Sequence, residues 1–317
     1  MTGTSPSPVV VGVDGSAGSL MAVQYAVAEA TRVGTGVRLV HVTPDYTPST
    51  PMLPLIRDDF EQVGRRVLRE ATAVVAETAP SCEVSTVLRV GATVSTLLDA
   101  ADGAHLVVLG REHRSRLESV FTGSTTVGAA GRAACPVVSV PPAWTPGESR
   151  DRVVVGVRSP SHSTELLGRA YAAAEARGAR LVVLHAWKLP NAYDEIVEAR
   201  THANDRVAEI EAEIDPLLDV LRRSHPTVEV ELSVVHEQPV RALLRVAAGA
   251  DLLVILRRSH GMPLTAHLGG TGRALLHEAA CPVEVVPPQE ALAEMEGLVL
   301  EEAVSYTHLT LPTICSV

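Results

Sequence analysis

The sequence predicts an α/β fold of two tandem domains, each built on a five-stranded, parallel, doubly wound sheet. Short runs rich in branched apolar residues, typical of strands covered on both faces, alternate with amphipathic helical segments. The same series of segments occurs twice along the chain. With 317 residues, 46% of them hydrophobic, the chain is long and apolar enough for two full cores.

The first repeat alternates five predicted strands with four predicted helices. The strands are Val9–Val13, Val37–Val42, Cys82–Leu88, Leu106–Leu109 and Val137–Val140. The helices are Leu20–Val33, Ile56–Thr78, Thr93–Ala101 and Gly123–Ala134, with a proline-rich loop over Thr43–Leu55. This order implies a parallel sheet, on which ligands bind outside the carboxyl ends of the strands, where the strand order reverses.

Four segments of the first repeat recur in the same order, 142 to 146 residues later. Val9–Ser16 is echoed by Val153–Pro160, Arg38–Val42 by Arg180–Trp187, Ala104–Gly110 by Ala250–Leu256, and Ala133–Pro142 by Ala279–Pro288. The repeats predict one domain over residues 1–142 and another over 151–288, joined by an exposed linker over 143–150.

A tail over residues 289–317 follows the second repeat and is expected to be disordered. Its last part, residues 304–317, has neither helical nor strand periodicity and resembles a translated sequencing adaptor. We therefore leave it out of the fold prediction.

Composition excludes several classes of function. A net charge of −10 and few aromatic residues argue against nucleic-acid binding. The four cysteines are widely spaced, which argues against a zinc site or a disulfide framework and favours the reducing cytoplasm. The absence of any apolar run near the length of about 18 residues argues against a membrane span, and the first residues do not resemble a secretory signal.

A glycine-flanked loop joins the fourth predicted strand to the helix after it. Gly110 ends the strand, and Gly123 opens the helix with Ser124, Thr125 and Thr126. A loop that leads into a helix N-terminus beside strand ends is a phosphate-binding geometry. Lys188 is the only lysine, so the chain has no Walker A motif, and a phosphate site would use backbone N–H groups, hydroxyls and arginine.

These residues resemble the universal stress protein family in its tandem, actinobacterial form. The resemblance is carried by VVVGVDGS, RLVHV, the spacing G-x2-G-x9-G-[ST] and CPV. It implies Rossmann-like domains and an ATP site, with Mg²⁺ as a companion ion. Asp14 and Val42 would lie against the adenosine, and the glycine pattern would hold the phosphates. The candidate residues are Gly12, Asp14, Val42, Gly110, Arg111, His113, Gly123, Ser124, Thr125 and Thr126.

Both repeats depart from the family pattern. In the first, His113 stands where the pattern has its second glycine, so its side chain would either crowd a phosphate or bond to it. In the second, Arg158 replaces the aspartate and Leu256 replaces the first glycine, while Gly269 is kept. The second site is therefore expected to be degenerate, although Arg257 and the arginine after it leave weak anion binding open.

Several candidates have a purely structural interpretation as well. Asp14 and Ser124 would each suit a helix start. The arginines Arg111, Arg114 and Arg116 would suit either a solvated loop or a phosphate clamp. We expect His41 and His185 to orient loops, and Cys135 and Cys281 to be inert core thiols.

The function predicted from these features is nucleotide-dependent signalling in the cytoplasm by an ATP-binding stress protein. The alternatives are a nucleotide-free interaction scaffold and a slow ATP hydrolase, the latter disfavoured because no general base stands out near the phosphates. The fifth strands are short and apolar and need a cover. They are expected to pair across a pseudo-twofold axis, within the chain or in a homo-oligomer.

Overall fold

The structure is a computed structural model and describes residues 7–45, 57–111, 123–159, 163–188, 203–258 and 268–288. The strands of the first half are β1 Val9–Gly12, β2 Val37–Thr43, β3 Val84–Val90, β4 Leu106–Gly110 and β5 Val137–Val140. Those of the second half are β6 Arg152–Gly156, β7 Arg180–Trp187, β8 Val230–His236, β9 Leu252–Leu256 and β10 Val283–Val286.

Helices alternate with these strands, as the sequence predicts. The first half contains α1 Ala17–Val33, α2 Arg57–Thr78, α3 Thr93–Ala100 and α4 Gly123–Arg132. The second half contains α5 Thr164–Glu175, α6 Ala203–Ser224, α7 Pro239–Ala247 and α8 Gly270–Glu278. The predicted α/β fold of two tandem domains is confirmed, although several boundaries differ.

Two boundaries in the first half differ from the prediction, and each difference has a structural cause. Helix α1 begins at Ala17 rather than Leu20, because the Ser16 side chain caps it by accepting a hydrogen bond from the Ser19 N–H at 3.1 Å. Strand β3 runs two residues later than predicted because its register follows β2, from Val37↔Val84 to Thr43↔Val90. Buried and exposed positions do not alternate regularly along β3, since this strand lies at the edge of the sheet.

All ten strands form one continuous sheet with the order β3-β2-β1-β4-β5-β10-β9-β6-β7-β8. Pairing is parallel within each half and antiparallel only between β5 and β10. The expected pairing of the fifth strands is therefore confirmed in its intrachain form. In this register Val283 lies opposite Ser139 and Glu284 opposite Val138. Since Glu284 is the sequence counterpart of Val138, the pseudo-twofold axis passes through this pair.

The core has one large cluster on one face of the sheet and two smaller clusters on the other. The large cluster crosses the junction and includes Val107 and Val137 from the first half and Leu253 and Val283 from the second. On the opposite face, each half has its own cluster under its first two helices. This division follows the period of two along each strand.

The face with separate clusters carries two buried ion pairs, one of which joins the halves. Arg177, in the turn after α5, contacts Glu29 on α1 at 2.5 Å, and its guanidinium also donates to the Tyr25 hydroxyl at 3.2 Å. Arg169 contacts Glu284 of β10 at 2.5 Å. Burial opposes the charge on Arg177, but Tyr25 and Glu29 outweigh it and raise the pKa of the guanidinium.

The linker packs against both halves. Trp144 meets Tyr25 edge-to-face with 5.3 Å between ring centroids, and the Arg150 N–H donates to Asp251 Oδ1 at 2.7 Å. The linker residues other than Trp144 are exposed. Within the described residues, every helix is too short or too polar to cross a membrane.

Candidate functional site

The predicted site lies where the strand order of the first half reverses, between β1 and β4. These strands pair in parallel from Val9↔Leu106 to Val11↔Val108, so their carboxyl ends lie side by side. Gly12 ends β1 and Gly110 ends β4. Two of the candidate glycines are thus brought together at the edge where doubly wound sheets bind ligands.

Gly110 is required by a close approach of backbone to backbone. A Cβ atom at this position would overlap the carbonyl group of Gly18 in the first turn of α1. A Cβ on Gly12 would stand only 2.6 Å from the Leu109 side chain. Gly110 therefore lets α1 approach the end of β4, which places the loop after β1 next to the loop after β4.

Asp14 lies in that first loop, and its carboxylate is exposed. Its Oδ1 accepts a hydrogen bond from the Ser16 N–H at 3.0 Å, and its own N–H donates to Ser19 Oγ at 3.4 Å. Partial desolvation acts to raise the pKa of Asp14, but the hydrogen bonds from Ser16 and Ser19 prevail and lower it. The N-cap of α1 is Ser16 and not Asp14, which instead supports the turn before the helix, and the Asp14 carboxylate is held ionised beside the crevice.

His41 fixes the position of the same loop. Its Nδ1 lies 2.7 Å from the Val13 carbonyl oxygen, within hydrogen-bond distance. The expectation that His41 orients a loop is thus confirmed. Val42 follows it near the end of β2 and packs against the cluster that crosses the junction. This face is opposite to that of His41, because side chains alternate along a strand.

Helix α4 begins at Gly123, so the first helical turn contains Ser124, Thr125 and Thr126. This turn contains no acidic residue, and the Thr125 and Thr126 residues are half-buried. The unpaired N–H groups of a first turn favour an anion, especially without a competing carboxylate. His113, Arg114 and Arg116 lie outside the described residues.

Arg111 has a role that the sequence did not reveal. Its two terminal nitrogens donate to the carbonyl oxygens of Leu276 at 2.8 Å and Ala279 at 2.6 Å, at the C-terminal end of α8 in the other half. Its side chain is therefore engaged in the contact between the halves, and we withdraw it as a phosphate clamp.

Arg257 makes the matching contact from the second half and is only 5% exposed. Its Nη1 donates to the carbonyl oxygens of Ala133 at 2.7 Å and Ala130 at 3.4 Å, at the C-terminal end of α4. Burial lowers the pKa of both arginines. The weak anion binding expected of Arg257 is therefore wrong, because its side chain is buried against α4. One sequence signal was available, since both arginines directly follow the fourth strand of their repeat.

The corresponding crevice of the second half is built differently. Leu256 ends β9 where Gly110 ends β4, and Arg158 stands in the place of Asp14. Gly269 occupies the N-cap position of α8, where it has no side chain to accept a capping hydrogen bond. The ring of His185 is buried, which lowers its pKa, while the nearby Val157 backbone acts in the opposite direction. Among the described residues, its Nδ1 has no partner at hydrogen-bond geometry, so the contact with the Val157 backbone is looser than the one that His41 makes with Val13.

The cysteines agree with an inert role in the core. Cys281 is 2% exposed, and burial raises the pKa of its thiol to about 12. Cys135 is half-buried, and burial raises the pKa of its thiol to about 11. In the part of the chain that the structure describes, histidine, cysteine and acidic side chains form no cluster suited to a metal ion.

The fold and the strand ends define a class of protein: a tandem, doubly wound α/β protein with glycines at the carboxyl ends of the two strands that flank a switch point. The chain belongs to the universal stress protein family, whose model matches residues 7–141 and again residues 149–287. The resemblance noted in the sequence is thereby confirmed.

Relatives with the same tandem length occur in mycobacteria. A universal stress protein of Mycolicibacterium smegmatis is 29% identical over 288 residues, covering 89% of this chain and 97% of the relative. One from Mycobacterium tuberculosis is 29% identical over 286 residues, covering 87% and 96%.

Solved structures agree on the fold. A universal stress protein from Archaeoglobus fulgidus superimposes with a TM-score of 0.68 at 17% identity, covering 90% of this chain and 97% of that protein. A putative universal stress protein from Pseudomonas aeruginosa superimposes with a TM-score of 0.59 at 17% identity, covering 94% and 98%.

Proposed function

We propose that the first half binds ATP at the crevice between β1 and β4, and that the chain is a nucleotide-dependent signalling module of the stress response. The observation that carries this proposal is the approach of Gly110 to the backbone of Gly18. It joins the loop after β1 to the loop after β4 at the switch point. A lone helix start or a lone capping aspartate would not explain why these parts meet there.

In this proposal each part of the crevice has its own task. Asp14 and Val42 lie against the adenosine, as the family resemblance implies. The backbone at Gly110 and the first turn of α4 hold the phosphates, with Mg²⁺ as their companion. The low pKa of Asp14 keeps it an acceptor for ribose hydroxyls at neutral pH. The second half lacks both the aspartate and the glycine, and we assign it no nucleotide.

A matched pair of variants tests the proposal. Gly123→Asp places a carboxylate in the first turn of α4, where it repels the phosphates. Gly269→Asp makes the same change in the second half, where an added Cβ would be 3.7 Å from Arg258 and therefore fits. We expect isothermal titration to show one ATP per chain, at least tenfold weaker binding for Gly123→Asp, and little change for Gly269→Asp.

Three outcomes of that titration would overturn the proposal. They are no ATP binding by the wild-type chain, two equivalent sites, or a loss of binding confined to Gly269→Asp. The first outcome, together with no adenine absorbance in protein purified without added ligand, would favour a nucleotide-free scaffold.

We also place the protein in the cytoplasm. The support is chemical, because Cys82, Cys135 and Cys281 are all free thiols, as is usual in a reducing compartment. Cell fractionation tests this assignment, and recovery outside the cytoplasmic fraction would contradict it.

A further inference from the structure

The two arginines that cross between the halves form a reciprocal pair, which we call the crossed arginine caps. Arg111 binds the end of α8, and Arg257 binds the end of α4. The acceptors are equivalent as well, since Leu276 and Ala279 are the sequence counterparts of Ala130 and Ala133. The last carbonyl groups of a helix lack partners within it and carry partial negative charge, so a guanidinium there satisfies both needs.

The cap made by Arg257 is well buried. Within the described residues Arg257 forms no ion pair with a carboxylate. The carbonyl groups of Ala130 and Ala133 are therefore the main compensation for taking this cation out of water. Such an arrangement is sensitive to the position of α4, because a shift of the helix would break the hydrogen bonds of a buried charge.

Helix α4 has few other means of fixing its position along its own axis. Apart from Val127, the residues that it packs into the core are small, among them Ala129 and Ala130 at 0% and 2% exposure. Gly128 and Gly131 lie on the same helix. Small side chains interlock weakly with their neighbours, so the helix depends on contacts at its two ends. One end is the turn beginning at Gly123, and the other end is held by Arg257.

The second half keeps this arginine although its own crevice has lost the expected features. Leu256 and Arg158 replace the glycine and the aspartate, yet Arg257 stands between the substituted strand end and an exposed Arg258. A role within the second crevice does not explain why the Arg257 side chain is buried against α4, whereas a role in supporting the first half explains it.

We propose that Arg257 is a positioning residue for the nucleotide site of the first half. It holds the C-terminal end of α4, so that the N-terminal turn of this ten-residue helix, about 15 Å long, meets the phosphates. The second half thereby acts as the support of the first. By linkage, nucleotide binding tightens the contact between the halves to the same extent that this contact favours binding. This inference rests on the proposed ATP site.

The test measures ATP affinity of the full chain by isothermal titration. Arg257→Gln removes the charge, and we expect the dissociation constant to rise about tenfold, with Arg257→Lys intermediate. The control Arg258→Gln changes the exposed neighbouring arginine and should leave the affinity unchanged. A second control, Ile214→Val, weakens the core of the second half away from α4 and should lower the unfolding temperature without weakening ATP binding.

Hydrogen exchange separates positioning from a general loss of stability. In the wild type, ATP should slow amide exchange in the last turn of α4 several-fold, and in Arg257→Gln this protection should disappear. If the wild type binds ATP and Arg257→Gln binds it equally well, the inference is overturned while the proposed function stands. If the wild type binds no ATP, the proposed function itself fails. If Arg257→Gln does not fold, unchanged affinity in Arg257→Lys together with no ATP-dependent protection of α4 overturns the inference.

Discussion

At the scale of single residues, two neighbouring positions at the end of β4, a glycine and an arginine, shape the crevice and its surroundings. Gly110 matters because its missing side chain lets two backbones meet. Arg111, the next residue, matters because its long side chain leaves the crevice and reaches the other half. Two neighbouring positions thus serve the local site and the assembly of the whole chain.

Gly110→Ala is expected to destabilise the chain by about 1–3 kcal/mol, because the added methyl group overlaps the Gly18 carbonyl and backbone must move. The displaced α1 should also open the crevice and weaken ATP binding. Gly168→Ala is the matched control. Gly168 lies in α5, a Cβ there meets nothing within 4 Å, and alanine should stabilise the helix by about 0.5–1 kcal/mol. Urea unfolding measures both variants, and equal stability of the two would contradict this account of Gly110.

At the scale of elements, the two halves differ in how their first helices start. Helix α5 begins at Thr164, the counterpart of Leu20, with Ser163 at its N-cap, whereas α1 begins at Ala17. Leu256 ends β9 at the position where Gly110 ends β4, and its side chain packs against the core cluster of the second half. Beyond the end of α5, Arg177 reaches α1 of the first half and pairs with Glu29.

A double-mutant cycle on Glu29 and Arg177 should give a coupling energy of about 1–3 kcal/mol, because their side chains are only 10% and 7% exposed. Glutamine at each position retains most of the shape. The exposed pair of Glu61 and Arg65 within α2 serves as the control and should couple by about 0.3–0.5 kcal/mol. Urea unfolding of the four proteins in each cycle provides the values. Coupling at the buried pair no larger than at the exposed pair would rule out a stabilising role between the halves.

At the scale of the whole molecule, the residues at the centre of the junction suit pairing of β5 with β10 better than pairing of β10 with a second β10. Glu284 faces Val138 at the axis and is paired with Arg169. If two β10 strands from different chains met in this register, two buried carboxylates would face each other, which is costly. The sequence difference between the halves thus favours the intrachain pairing.

One cooperative unfolding transition is expected for the whole chain, because the sheet is continuous and the largest core cluster contains residues of both halves. The chain's two tryptophans report on different halves: Trp144 packs on Tyr25, and Trp187 stacks on His236 with 4.0 Å between ring centroids. Trp144→Phe and Trp187→Phe leave one reporter each. In each variant, fluorescence and far-UV circular dichroism should give coincident urea curves. A fluorescence transition separated from the circular dichroism transition in either variant would show that the halves unfold independently.

The sequence by itself determined the α/β class, the tandem repeat, most element positions and the place of the crevice. It did so because these follow from local periodicity, from glycine at strand ends, and from the rule that parallel strands share one ligand-binding edge. Only the tertiary structure decided that the fifth strands pair within one chain, that Arg111 and Arg257 cross between the halves, and that Glu29 meets Arg177. Such contacts join residues more than a hundred positions apart. The acceptors of both arginines are main-chain carbonyls, which leave no mark in the sequence of side chains.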